Sequence, residues 1–580
     1  TIKPEQPTAA KITWRGSPRA NSQDSRAHIR PRSVLLDPSS GWYPRPAPQP
    51  FGYTLKVTLP DELQVVAEGE RESDHSSAGK RQVAFHHNQP ASGITLVAGP
   101  WQKHSRETKH GRVYTFFPDH LQHLNERYLK YTGEYFDTYS ELIGTATHNT
   151  YSVVAAPVPV GLAFAGFTYI GEKVLQLPFI PTNSLPHEVV HNWWGRGVYT
   201  DHSEGNWNES LTQYMGDYYQ ATQRSAAEAI RMRGDWLRSQ AALPQSMDYP
   251  LVNFRQKQSR IDDIVGYQRG AFLFHTLELQ LGQETFVEAI KTFYRDYQNK
   301  WAGWHNLRHT FATVAEQHGH EPDKINDLFF WFLTTKHVPE LSLTNAQVRS
   351  TADGYEVAIK LHWPEGAYPS VVPIVISGAD SRHEEQIKLR PGEHKAVTIP
   401  LKNRPELLEI DPDQHVYRQL ARGESTAILR QIQLAEQVSI IGVSGADWTT
   451  ELLPIARRVF AGEIDKRTIE DSQNQALLIV GTPADVQQAL HKAQACSYHR
   501  SPPISAKTVA WSSISGSGQP ILALSADSLD AAQQALQRLQ HFGRHSYVGF
   551  NGHPQTGLYE PAEQHGLRQR LEVDEESAGK

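Results

Sequence analysis

The sequence predicts a multidomain α+β protein: a β-rich N-terminal domain, a largely helical central domain, a small β-sandwich and a C-terminal α/β domain. Three observations carry that expectation. The chain has 580 residues, too many for one hydrophobic core, and at about 150 residues per domain it divides into roughly four. The period of its apolar residues is two near the start, three to four in the middle, and two again afterwards. Beyond residue 424 strand-like and helix-like stretches alternate, the pattern of an α/β domain.

Residues 1–104 form the first expected domain. Up to about residue 40 the chain is polar and aperiodic. "PFGYTLKVTLPDELQVVAEGE" (50–70) then places Tyr53, Leu55, Val57 and Leu59 on one side and Thr54, Lys56 and Thr58 on the other. That alternation is a half-buried strand ending at a Pro-Asp turn. "RQVAFHHNQ" and "GITLVAGPW" continue the pattern, with His86 and His87 expected at the surface. Residues 105–338 are mainly helical by spacing, as in "DHLQHLNERYLKYTGEYFDTYSELIG" and "GAFLFHTLELQLGQETFVEAIKTFYRDY". One β stretch, "YSVVAAPVPVGLAFAGFTYIGE" (151–172), interrupts them. Residues 339–423 return to short strands, "YEVAIKLHW", "SVVPIVISG" and "HKAVTIPL", hence the β-sandwich. Residues 424–580 contain "QVSIIGVSG" and "ALLIVGTPADVQQALHKA", strand-to-helix units, and end in a charged tail, "EVDEESAGK", expected to be disordered.

Composition narrows the function classes. Lys and Arg number 57 against 63 Asp and Glu, a formal charge of −6 with no long basic block, so nucleic acid and anionic membranes are poor partners. No apolar run reaches the ~18 residues of a membrane span. The single cysteine, Cys496, excludes an internal disulfide and a thiolate metal site within one chain. Such usage fits either the cytoplasm or a bacterial periplasm; an exported, periplasm-type location is the favoured expectation. The start, "TIKPEQPTAAK", carries no methionine, which leaves processing or shortening of the chain open as an expectation. "GVSGAD" and "SGSGQP" lack a following Gly-Lys-Ser/Thr, so neither is a phosphate loop. Oligomeric state is left open.

The chemistry concentrates in "LPHEVVHNWWG" (185–195). Residues four apart on a helix lie nearly above one another, so His187 and His191 can hold one ion from a single face. Pro186 suits the first turn, where its missing N–H costs nothing. Glu188, one step round, can reach a water at the ion without binding the metal. Alone, the string is as readily accidental as functional, and a third ligand decides. Downstream, in "HSEGNWNESLTQYMGDYYQ", Leu211, Tyr214, Met215, Tyr218 and Tyr219 form an apolar helical stripe. Glu209 faces away from it, in line with Thr212 and Gly216. A lone glutamate is usually a solvated one, yet two histidines and a glutamate also make a catalytic zinc set with an open fourth position.

"HEVVHNWWG" followed by "NWNES" resembles the gluzincin zinc aminopeptidases, the aminopeptidase N and leukotriene hydrolase type. The resemblance implies a thermolysin-like catalytic domain over 105–338, one zinc ion held by His187, His191 and Glu209, and Glu188 as general base. "YQRGAFLFHTLELQLG" resembles the family's Tyr-x-Lys-Gly-Ala segment, which makes Tyr267 the tyrosine that stabilises the transition state. Flanking segments resemble the family's β-rich first domain and the end of its β-sandwich. The expected activity is zinc-dependent hydrolysis of peptides, with removal of N-terminal residues.

Three departures stand out, in a divergent, bacterial-type member. The 17 residues between His191 and Glu209 are one fewer than usual. Ser210 replaces a glycine. Most consequential, the family's Gly-x-Met-Glu-Asn, whose glutamate holds the substrate's free α-amine, is absent: "PVGLAFAGFTYIGE" stands there, with Leu162 at the glutamate's position. An ammonium in a dry cleft needs a polar partner, and Glu172 is the nearest acid on the segment. Two alternatives therefore stay open: an endopeptidase or a peptidase for modified N-termini, and a peptide-binding scaffold that has lost catalysis.

Overall fold

The computed structural model describes residues 11–16, 27–44, 51–91, 93–158, 161–421, 423–442, 448–472, 474–495 and 501–574. Cys496 and most of "GVSGAD" lie outside them. The chain folds into two compact units, one comprising Thr1–Asp201, Met215–Gln220 and Val287–Thr310, the other His202–Tyr214, Ala221–Phe286 and Phe311–Lys580.

The first unit opens with β structure, as the alternation requires. Along Phe51–Pro60 the odd-numbered residues are half-buried and the even-numbered ones exposed. This strand pairs antiparallel with Lys80–Ala91, which pairs in turn with Glu70–Ser77. A second sheet runs His28–Arg30, Ser33–Leu36, Leu96–Gly99, Gln64–Ala67. His87 corrects the surface expectation. It lies opposite Tyr53 in the ladder, on the inner face, and stacks on that ring with centroids 5.3 Å apart. Burial holds its imidazole below the usual pKa.

Next comes a five-stranded mixed sheet in the order Gly161–Phe164, Phe167–Gly171, Thr150–Ala156, Arg112–Phe117, Gln102–Glu107. The helix Asn125–Leu142 buries Tyr128, Phe136 and Tyr139. Among the described residues Gly161–Phe164 is an edge strand, paired with Phe167–Gly171 in the register Leu162 to Tyr169.

In the second unit, Gly270–Leu281 is buried on almost every side over its first two turns, the signature of a core helix rather than a surface one. Two four-stranded sheets form the sandwich expected near 339–423, and the chain's last described residues complete it. Arg568–Arg570 pairs antiparallel with Leu407–Ile410, and Val573–Asp574 pairs parallel with Ser342–Thr351. The tail expected to be disordered thus begins as sheet edge; residues 575–580 lie outside the described residues. At the sandwich base Arg418, 1% exposed, bonds Asp411 at 3.0 Å and Glu424 at 2.7 Å.

Between these strands lies the α/β domain. Its seven-stranded sheet has four parallel strands, Glu463–Lys466, Gln437–Gly442, Ala476–Gly481 and Pro520–Ser525, followed by three antiparallel ones. Leu452, Ile455 and Leu536 pack one face, and Val486, Ala489 and Leu490 the other. "SGSGQP" is the tight turn of the hairpin Val509–Ile514 to Pro520–Ser525. No helix among the described residues is long and apolar enough to cross a membrane.

Candidate metal centre

The short helix Leu185–Val190 starts with Pro186 in its first turn, as the sequence leads one to expect. His191 continues the turn, its N–H directed to the His187 carbonyl at 3.4 Å. Trp193 and Trp194 anchor the chain beyond it. Both are fully buried, Trp193 against Phe136 and Tyr139 and Trp194 against Phe293 and Tyr294. On the other side, Tyr151 donates its hydroxyl to the Glu188 carbonyl at 2.8 Å.

The three expected ligands come together. One ligand atom from each of His187, His191 and Glu209 lies within 4.8 Å of the others, the only such group of three or more among the described residues. His191 is buried; His187 and Glu209 are half-buried.

The imidazoles are oriented for a metal. His187 Nδ1 meets Asp217 Oδ2 at 2.6 Å, and His191 Nδ1 meets the Trp194 carbonyl at 3.2 Å. With Nδ1–H donating to these oxygens, each Nε2 is left as a lone-pair donor, the arrangement that fixes the tautomer of histidine ligands. Two imidazoles and one carboxylate whose ligand atoms lie within 4.8 Å of one another are a donor set that suits zinc. The residues present fit the expected ion.

Sequence reasoning misses Asp217, although it lies two turns past Glu209. The reason is a change of helical period. After Trp207–Thr212 the chain runs as a π-helix over Gln213–Tyr218 before resuming as Tyr219–Arg224. The wider turn rotates the stripe: Leu211, Tyr214, Met215 and Tyr218 are buried, whereas Tyr219 is only half-buried. It also presents Gly216 to the metal helix. A Cβ there would meet the His187 Cα at 2.9 Å, so only glycine lets Asp217 come so near. π-turns are frequent at functional sites.

Ser210, the departure from glycine, has a definite place. Its hydroxyl donates to the Gly266 carbonyl at 2.6 Å, filling space left by Gly270, where a Cβ would meet Ser210 Oγ at 2.0 Å. This joins the residue after Glu209 to the residue before Tyr267. Tyr267 lies in a second π-helix, Asp263–Arg269, half-buried, with its ring against Phe254 and 5.6 Å from the Lys257 ammonium. Arg269 pins that segment from the core by bonding Asp248 at 2.7 Å and the Tyr417 hydroxyl at 3.0 Å.

Leu162 is half-buried on the edge strand, opposite Tyr169. Glu172 lies 3.0 Å from His120 Nε2.

Residues 182–330 match the family described as "Peptidase family M1 domain", and the expected likeness to the gluzincin aminopeptidases holds over this central stretch. A curated relative, an alanine/arginine aminopeptidase of Saccharomyces cerevisiae, is 24% identical over 247 residues, covering 40% of this chain and 26% of that protein. Among solved structures, Legionella pneumophila aminopeptidase A in complex with aspartic acid superposes with a TM-score of 0.52 at 14% identity. It covers 69% of this chain, which spans 49% of its own. An M1 zinc metallopeptidase from Deinococcus radiodurans has a TM-score of 0.44 at 19% identity, over 53% and 71% of the two chains. The chain thus spans about a quarter of the yeast relative and about half of the Legionella one.

Proposed function

We propose that the chain is a zinc-dependent peptidase that removes residues from the free N-termini of peptides, with one zinc ion held by His187, His191 and Glu209. The observation that carries the reading is the approach of those three ligand atoms to within 4.8 Å, with both Nδ1 atoms occupied by other groups. The family match over 182–330 supports it. When bound, zinc supplies a Lewis acid that lowers the pKa of a water from ~15.7 towards ~7. Glu188, held by the Tyr151 bond to its carbonyl, takes the proton of the attacking water and returns it to the leaving amine. Tyr267 donates its hydroxyl to the developing oxyanion, a role whose loss costs ~10²–10³ in rate.

A second reading is favoured by one specific feature. Leu162 offers no charge to an α-ammonium, which suits an endopeptidase or a peptidase for modified N-termini. The deciding experiment measures zinc content, then turnover of one peptide with a free amine and of its N-acetylated twin. Cleavage of the free form alone supports the aminopeptidase; equal cleavage of both supports the second reading. A protein that takes up no zinc and cleaves neither refutes both and leaves the binding scaffold.

A further inference from the structure

The segment that carries Tyr267 is anchored at several points within the second unit. A capping box starts it: Ser259 Oγ accepts from the Asp262 N–H at 3.4 Å, and Asp262 Oδ2 accepts from the Ser259 N–H at 2.7 Å. Tyr249 then ties the residues at both ends of the π-helix Asp263–Arg269. Its hydroxyl donates to Asp262 Oδ1 at 2.5 Å, and its carbonyl accepts from the Arg269 guanidinium at 3.1 Å. With Ser210 on the Gly266 carbonyl, Tyr267 has an anchored residue on either side.

One anchor comes from the α/β domain. Arg260, half-buried in the turn Arg260–Asp262 that leads into the π-helix, donates through Nη1 to Gln433 Oε1 at 3.3 Å and to the Gln540 carbonyl. Gln433 is fully buried, and its own amide N–H donates to the Leu539 carbonyl at 2.8 Å, so the α/β domain fixes the direction of the oxygen that Arg260 meets. Gly543 leaves the room: a Cβ there would meet Gln433 Oε1 at 2.5 Å and Arg430 Nε at 3.1 Å. Two further bonds flank this one. Arg430 donates to Ser239 Oγ at 2.8 Å, and Ser246 donates its hydroxyl to the Glu436 carboxylate. A guanidinium withdrawn from water is costly to leave without acceptors, and both of these acceptors belong to the α/β domain.

We propose that Arg260 is a positioning residue through which the α/β domain braces the segment bearing Tyr267, so that this domain sets how well the tyrosine hydroxyl meets the developing oxyanion. The kinetic consequence rests on the peptidase reading and on the part Tyr267 plays in it; the brace itself rests on the hydrogen bonds alone. The consequence has a definite signature. The oxyanion exists only beyond the ground state, so a misplaced hydroxyl lowers kcat and leaves KM as it was. A displacement of about 1 Å is enough to lose most of what an oriented group contributes.

The test uses the full chain carrying Arg260→Met, Arg260→Lys or Gln433→Met, with tetra-alanine as substrate. Arg260→Met is expected to lower kcat about tenfold, with KM and zinc content within about twofold of the parent. Gln433→Met removes an acceptor from the other side and lowers kcat in the same sense. Arg260→Lys, whose ammonium still donates, recovers most of the loss. The deciding readout is a double-mutant cycle: in a Tyr267→Phe background Arg260→Met costs nothing further, because the hydroxyl it positions is gone. An unchanged kcat in Arg260→Met, or the same loss on top of Tyr267→Phe, overturns the proposal. Hydrogen exchange of the peptide covering 260–269 is the independent arm. Exchange there rises at least about tenfold in Arg260→Met if the α/β domain holds the segment. Unchanged exchange overturns the brace whether or not the parent cleaves peptides. A parent without turnover whose Arg260→Met variant exchanges faster defeats the peptidase reading and leaves the brace standing.

Discussion

Two polar clusters among the described residues, one fully buried and one half-buried, are built on opposite plans. At the base of the β-sandwich, Asp411 receives Arg418 together with the N–H groups of His415 and Val416, while Glu424 takes the other side of the same guanidinium. Each charge there meets its opposite. In the central domain, one ligand atom each of His187, His191 and Glu209 lies within 4.8 Å of the others, and each ring's Nδ1 meets an oxygen of Asp217 or Trp194. The difference teaches how to tell a structural cluster from a working one. A cluster whose charges pair with one another holds a fold together; two imidazoles and a carboxylate drawn together form a donor set of the kind that suits a cation.

The sharpest way to break the comparison is Glu188→Gln. Turnover should fall by about 10²–10⁴ while zinc content, measured by atomic absorption, is unchanged. Full activity would remove Glu188 from its role. The mirror experiment is Arg418→Met, which leaves Asp411 and Glu424 without their cation and should destabilise by about 3–5 kcal/mol in urea unfolding, with KM and zinc content as in the parent. If this change altered zinc affinity, the two clusters would not be separable.

Glu68 offers a third handle, intermediate between the plans, because it is buried with only partial pairing. Its carboxyl titrates at about 7 in the fold against an ordinary 4.5. Stability from holding that proton is complete below about pH 4.5 and is lost as pH rises through about 7, at most roughly 3 kcal/mol. Glu68→Gln should flatten that part of the stability–pH curve, read from unfolding midpoints at pH 5 and 8. The smallest expected effect belongs to Asp217→Asn, which should weaken zinc binding by about 10–100-fold in competition with a chelator, without changing the ligands. An unaltered affinity would mean that the 2.6 Å contact with His187 does not orient the ring.

How far the sequence can be read depends on the distance between partners along the chain. His187 and His191 announce themselves, since a four-residue spacing is itself the geometry. Glu209 needs the pattern of a neighbouring helix, and Tyr267 needs a family likeness. Asp217 is hidden by the π-helix Gln213–Tyr218, which a period of 3.6 does not anticipate. Likewise Arg568–Arg570 and Val573–Asp574 are too short to show alternation, so the charged end of the chain hides their sheet pairing.

Those last two strands give the α/β domain an unusual tether. Because residues on either side of it are woven into both sheets of the sandwich, it is an insertion with two roots rather than an appendage on one stalk. A protease that nicks a loop within it frees neither piece, and separating it from the body requires peeling two sheet edges at once.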